Sequence, residues 1–88
     1  MNKQVALITG CSSGIGRALA QAFRQQGFTV VATARRAADV AALRKDGWEA
    51  LALDVSRAES IEAAMAQISQ DFGRIDVLVN NAGYGQFG

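Results

Sequence analysis

Gly10, Gly14 and Gly16, with Ser12 and Ser13 among them, stand directly behind the apolar run Val5-Ala6-Leu7-Ile8. Glycines let a backbone close tightly around a ligand, and serine hydroxyls donate hydrogen bonds. A helix opened by such a turn aims its first N–H groups and the positive end of its dipole at the same point. The chemistry this suits is the holding of a phosphate or pyrophosphate. No Gly-Lys-Ser/Thr follows, so the loop is not the lysine-bearing nucleoside triphosphate grip, and its spacing also departs from GxGxxG. Further along, Arg35-Arg36 offer fixed positive charge, Asp54-Val55 a carboxylate beside an apolar edge, and Asn80-Asn81-Ala82-Gly83 two carboxamides. Histidine is absent and Cys11 is the single cysteine. That removes Ser-His and Cys-His catalytic pairing and a structural zinc site, so no metal ligand set and no catalytic residue is assigned.

These residues need elements to carry them. Residues 5–9 have the continuous apolar character of a buried strand. From Ile15 the spacing turns helical, with Ile15, Leu19, Ala22 and Phe23 on one stripe and Gly27 as the stop. A second strand spans 28–33, ended by Arg35-Arg36. A short helix over 37–46 points Val40 and Leu43 inward, and a third strand runs over 49–53. Ser56-Arg57-Ala58-Glu59 has the form of a capping box. The helix behind it sets Ile61, Met65, Ile68 and Phe72 on one face and stops at Gly73. A fourth strand over 75–79 runs into Asn80, and residues 84–88 form a loop.

Strict alternation with connections too long for hairpins requires parallel strands and right-handed crossovers. The expected fold is therefore an α/β doubly wound, Rossmann-like parallel sheet of four strands in the order 3-2-1-4, within one domain over 1–88. The glycine loop, Arg35, Asp54 and Asn80 then all fall at carboxyl ends of strands, where ligands of such sheets bind.

Composition narrows the class further. At 88 residues and a net charge of +1, the chain gives no support to general nucleic-acid binding. Its apolar runs are too short for a signal peptide or a membrane span. A lone cysteine fits a reducing, cytoplasmic setting.

Thr9-Gly10-x-x-x-Gly14-Ile15-Gly16, Asp54-Val55 after the third strand and Asn80-Asn81-Ala82-Gly83 after the fourth together resemble the short-chain dehydrogenase/reductase family. The resemblance runs from Val5 to the end of the chain. It implies a nicotinamide dinucleotide as cofactor and hydride transfer between an alcohol and a carbonyl. Carried over, Gly10, Ser12, Ser13, Gly14 and Ile15 line the pyrophosphate and adjoining ribose, while Gly16 lets helix pack on strand. Asp54 accepts from the adenine amino group, Val55 offers backbone and an apolar edge, and Asn80, Ala82 and Gly83 flank the ribose and the path to the nicotinamide.

Cofactor choice turns on the end of the second strand, where an acid suits NAD and an arginine the 2′-phosphate of NADP. Thr33-Ala34-Arg35-Arg36 carries no acid before Asp39, so NADP(H) is expected over NAD(H). Arg35 would hold the phosphate, and Arg36 either stacks on the adenine or faces water. A charge-assisted contact of this kind contributes about 1.5–3 kcal/mol, on the order of ten- to a hundredfold in affinity.

The family's catalytic serine, its Tyr-x-x-x-Lys pair and its supporting asparagine have no counterpart here. Four residues after Tyr84 stands Gly88, and no lysine follows Lys45. The chain reads as the cofactor-binding, amino-terminal portion of an NADP(H)-dependent oxidoreductase, inactive alone, whose small alcohol or carbonyl substrate is met only by a full-length parent. A stand-alone, non-catalytic nucleotide-binding or interaction module is the alternative. The strand over 75–79 and the lone helix behind Ser56 are expected to leave apolar surface bare, favouring self-association.

Overall fold

The computed structural model describes residues 4–12 and 14–81. Seven elements alternate: β1 (Val5–Ile8), α1 (Gly14–Gln25), β2 (Thr29–Ala34), α2 (Ala37–Lys45), β3 (Glu49–Ala52), α3 (Ala58–Phe72) and β4 (Val77–Val79). The strands form one sheet in the order β3-β2-β1-β4, every neighbouring pair parallel. This is the doubly wound order that the alternation predicts, and it puts the reversal of winding between β1 and β4.

The pleat sends alternate side chains to two apolar layers. Ala6, Ile8, Val30, Ala32 and Ala34 pack with Ala20 of α1 and with Val40 and Leu43 of α2. Val5, Leu7 and Val31 face the other way, where Ile68 of α3 meets them with Met65, Phe72 and Leu51 around it. A strand covered on both sides needs apolar residues at every position, which is why β1 reads as an unbroken run and is buried throughout.

Three details depart from the sequence reading. The inward stripe of α1 is Gly16, Leu19, Ala20 and Phe23, whereas Ile15 is 69% exposed and Ala22 faces solvent. Gly16 sets this rotation because its missing side chain is what the loop packs against. Ser56 does not cap α3. The helix begins later, with Arg57 in the cap position and no side-chain cap bond, because the Ser56 hydroxyl is turned back onto Asp54. Finally, β4 starts at Val77 rather than residue 75. Asp76 donates its N–H to Val5 O at 2.9 Å and takes the Val5 N–H on its carboxylate at 2.7 Å, a side chain standing in for a ladder carbonyl.

The predicted bare surface is present at β4. Leu78 pairs with Leu7 and shares its face, yet is 58% exposed, and Ile75 is 36% exposed. Gly73 closes α3 in the left-handed region at φ 79°, accepting no Cβ comfortably there. Among the described residues no helix is long and apolar enough to cross a membrane.

Candidate functional site

The carboxyl ends of the four strands carry, in spatial order, Asp54 after β3, Arg35 after β2, the glycine loop after β1 and Asn80 after β4. Hydrogen bonds tie these ends together. Cys11 donates its N–H to Thr33 O at 2.8 Å, and Thr33 Oγ1 donates to Ile8 O at 3.0 Å, so the loop is laced to the end of β2. The Leu53 N–H reaches Ala34 O at 2.9 Å, which seats Asp54 beside Arg35. On the opposite flank Thr9 donates its N–H to Val79 O at 3.0 Å. The four sequence motifs thus make one continuous row.

The loop itself turns on two glycines. Gly10 adopts φ 69°, a conformation that side chains other than glycine's resist. Gly16 is required by space: a Cβ built there would overlap the Gly10 carbonyl oxygen and press on Cys11 Cα. Helix and loop therefore touch backbone to backbone, as expected for Gly16. Gly14 differs, since a Cβ there would meet no atom of another described residue within 4 Å outside its own stretch of helix. Ser12, Gly14 and Ile15 all face outward at the start of α1, and the first turn of that helix contains no acidic residue to oppose its dipole.

Cys11 is fully buried, its Sγ donating toward Ile8 O at 3.4 Å and Gly16 O at 3.8 Å. Burial pushes the thiol's pKa up, against smaller lowering by a backbone hydrogen bond from Thr33 and by the Arg17 charge. This small loop residue is thus an internal strut, and the helix terminus does not activate it. Arg17 Nε donates to Cys11 O at 3.3 Å from the outside.

Asp54 is held by Ser56, which donates both its hydroxyl and its N–H to Oδ1, at 2.6 and 3.0 Å. Those bonds keep its carboxyl below the usual range, with the Arg35 and Arg57 charges adding to the effect. Val55 is exposed next to it. Arg35 and Arg36 are exposed, and their side chains make no hydrogen bond or salt bridge with another described residue, although the Arg36 carbonyl accepts the Asp39 and Val40 N–H groups at 3.1 Å. Arg36 also occupies the cap position of α2, so its backbone opens that helix while its side chain contributes no cap bond.

Asn80 lies beside Thr9, whose hydroxyl sits 3.2 Å from Asn80 Oδ1 and 3.4 Å from Val79 O. The same oxygen accepts the Asn81 N–H at 2.8 Å, and Asn81 Nδ2 donates to Gly10 O at 3.3 Å. By sequence Thr9 and Asn81 are only members of motifs, yet they join the fourth strand to the glycine turn. Nothing in a linear sequence signals a bond across 72 positions. Ser13, Ala82 and Gly83, together with Tyr84 and the final loop, lie outside the described residues.

A groove of about 460 Å³ runs past Trp48, Glu49, Gln67, Asp71 and Phe72. It lies at the amino end of β3, the opposite end of the sheet from the motifs. Three of its polar side chains are engaged with the protein, Arg44 with Ala50 O and Gln67 with Asp71.

The family model for short chain dehydrogenases matches residues 4–88. The chain belongs to that family. Among its curated relatives, the 3-oxoacyl-(acyl-carrier-protein) reductase FabG of Vibrio harveyi is 45% identical over 83 residues, covering 91% of this chain and 34% of the relative. The 3beta-hydroxysteroid dehydrogenase of Mediterraneibacter gnavus is 42% identical over 88 residues, covering 93% of this chain and 32% of the relative. A short-chain dehydrogenase from Streptomyces avermitilis superposes with a TM-score of 0.79 at 45% identity, over 93% of this chain and 31% of that one. An actinorhodin polyketide ketoreductase solved with NADPH gives 0.81 at 38%, over 94% and 35%. The chain spans about a third of the length of the relatives it matches. Short-chain dehydrogenases of known structure thus share its fold over nearly the whole chain.

Proposed function

We propose that this chain is the cofactor-binding portion, a single domain, of an oxidoreductase that interconverts an alcohol and a carbonyl, with NADP(H) bound in preference to NAD(H). The observation that carries the reading is the row at the carboxyl edge: an outward-facing glycine turn, two arginines whose side chains have no partner among the described residues, and a fixed carboxylate beside them. The relatives' names, reductases and dehydrogenases, and the NADPH of one solved neighbour support it.

Gly10, Ser12, Ser13, Gly14 and Ile15 would hold the pyrophosphate against the start of α1, where N–H groups and dipole favour an anion. Space at Gly14, not filled by the described residues, suits a close approach of that group. Arg35 and Arg36 would take the 2′-phosphate and the adenine face, Asp54 and Val55 the adenine edge, and Asn80, Ala82 and Gly83 the ribose toward the nicotinamide. The bound cofactor supplies the hydride. This chain's residues bind and orient; hydride transfer also needs a group that gives or takes the hydroxyl proton, and the sequence offers no tyrosine with a lysine four positions on. The isolated chain is therefore inactive and binds cofactor at most, in a reducing, cytoplasmic setting. The exposed Leu78 of β4 and Ile75 just before it favour its self-association.

Parallel fluorescence titrations with NADPH and NADH test this directly. NADPH should bind on the order of ten- to a hundredfold more tightly. Equal or tighter binding of NADH would overturn the arginine assignment, and binding of neither would overturn the cofactor reading.

A further inference from the structure

Asp54 is more tightly held than a surface carboxylate at a strand end needs to be. Side chain and main chain of Ser56 both donate to the same oxygen, Oδ1, at 2.6 and 3.0 Å. The Asp54 N–H donates to Ser60 Oγ at 2.8 Å, and Asp54 O accepts the Arg57 N–H at 3.1 Å. The main chain is thus pinned by a turn, and rotating the carboxylate breaks the Ser56 pair. Oδ2 takes no hydrogen bond from another described residue. On its neighbouring strand end Arg35 lies close enough for its charge to be felt at Asp54.

A freely turning carboxylate can swing either oxygen toward whichever donor a bound base presents. A carboxylate with one oxygen committed presents a single acceptor in one place. It rewards a base with a donor there and opposes one with an oxo group, since acceptor then faces acceptor.

We propose that Ser56 is a positioning residue for base recognition: by holding Oδ1 it fixes Oδ2 as the acceptor for the exocyclic amino group of adenine, and so sets a preference for adenine over an oxo-bearing purine. The inference rests on the dinucleotide reading of this edge. Sequence alone points Ser56 elsewhere, toward a helix cap that the structure does not contain.

The test uses the full chain as wild type, Ser56→Ala and Ser56→Thr, each titrated with NADPH and with its hypoxanthine analogue, in which oxygen replaces the adenine amino group. The ratio of the two affinities on one variant is independent of how much of that variant is folded, so a stability change does not mimic the effect. Wild type should favour NADPH by about tenfold. Ser56→Ala should bring the ratio down to about threefold or less, and Ser56→Thr, which keeps the hydroxyl, should restore it. A wild-type preference that survives in Ser56→Ala would overturn the role of Ser56 and leave the dinucleotide reading standing. Equal binding of both nucleotides by wild type would overturn the Asp54 contact, and the proposal with it. Binding of neither would overturn the underlying reading.

Discussion

Arginines at the two ends of the sheet have opposite fates. At the amino end each is spent on the protein itself. Arg24 lies over the Trp48 ring at 3.8 Å, and Arg44 sets Nε and Nη2 on Ala50 O at 3.1 and 2.9 Å. Arg74 grips Asp76 Oδ1 at 2.6 Å while the other carboxylate oxygen takes the Val5 N–H. At the carboxyl end Arg35 and Arg36 have no such bond among the described residues, although Asp54 stands within electrostatic reach of Arg35. Arg57 meets Glu59 at 3.8 Å with both side chains largely in solvent, a contact worth little. Cations with partners brace an edge; cations left without them at the ligand-facing ends of strands are available to an anion. The same contrast divides the glycines, since Gly16 serves the fold and Gly14 leaves space that the described residues do not fill.

The sharpest way to break the comparison is at these two glycines. Gly16→Val forces a side chain into the Gly10 carbonyl, and we expect a loss of about 2–3 kcal/mol in urea unfolding. Gly14→Ala should leave stability unchanged or raise it by about 0.5–1 kcal/mol, as in any helix, while lowering affinity for NADPH. Equal destabilisation by both would erase the distinction. Next in size, Arg35→Ala should weaken NADPH binding by on the order of ten- to a hundredfold and leave NADH nearly untouched. Arg44→Met keeps the aliphatic stem and removes the bonds to Ala50. It should lower stability by about 1 kcal/mol with no change in nucleotide affinity. A shift in NADPH affinity there would mean that the two ends are not independent.

The smallest effect concerns pH. Arg74, and after it the Val5 N–H, holds the Asp76 carboxyl below its usual range. A carboxylate depressed on folding adds stability above the unfolded carboxylate range and loses it as pH falls through its lowered value. Denaturation midpoints followed through that acid range should therefore fall more steeply for wild type than for Asp76→Asn. Parallel curves would show that the Arg74 contact adds nothing.

Much of the fold is legible in the residues because it rests on local spacing. Unbroken apolar runs mark strands covered on both faces, and Val40 with Leu43 or Met65 with Ile68 mark the inner sides of helices. Readings fail where a side chain has a choice of partners. Ser56 suits a helix cap by spacing, yet Asp54 lies within reach and takes it. Ile15 suits the apolar stripe, yet the demand for a side-chain-free contact at Gly16 turns it outward. Thr9 and Asn81 resemble plain turn residues until β4 is laid beside β1.

By itself, then, the sequence determined the alternation, the strand order, the family and which residue types stand at each strand end. Those follow from periodicity and from motifs, which are properties of neighbours along the chain. Tertiary structure alone decided which of those residues are spent and which are left over. Asn81 is committed to Gly10, Cys11 to the loop's interior and Ser56 to Asp54, whereas the Arg35 side chain and the space at Gly14 are not taken up by the described residues. A hydrogen bond or a clash depends on distance in space, and only the packed sheet brings residues dozens of positions apart to within 3 Å of each other.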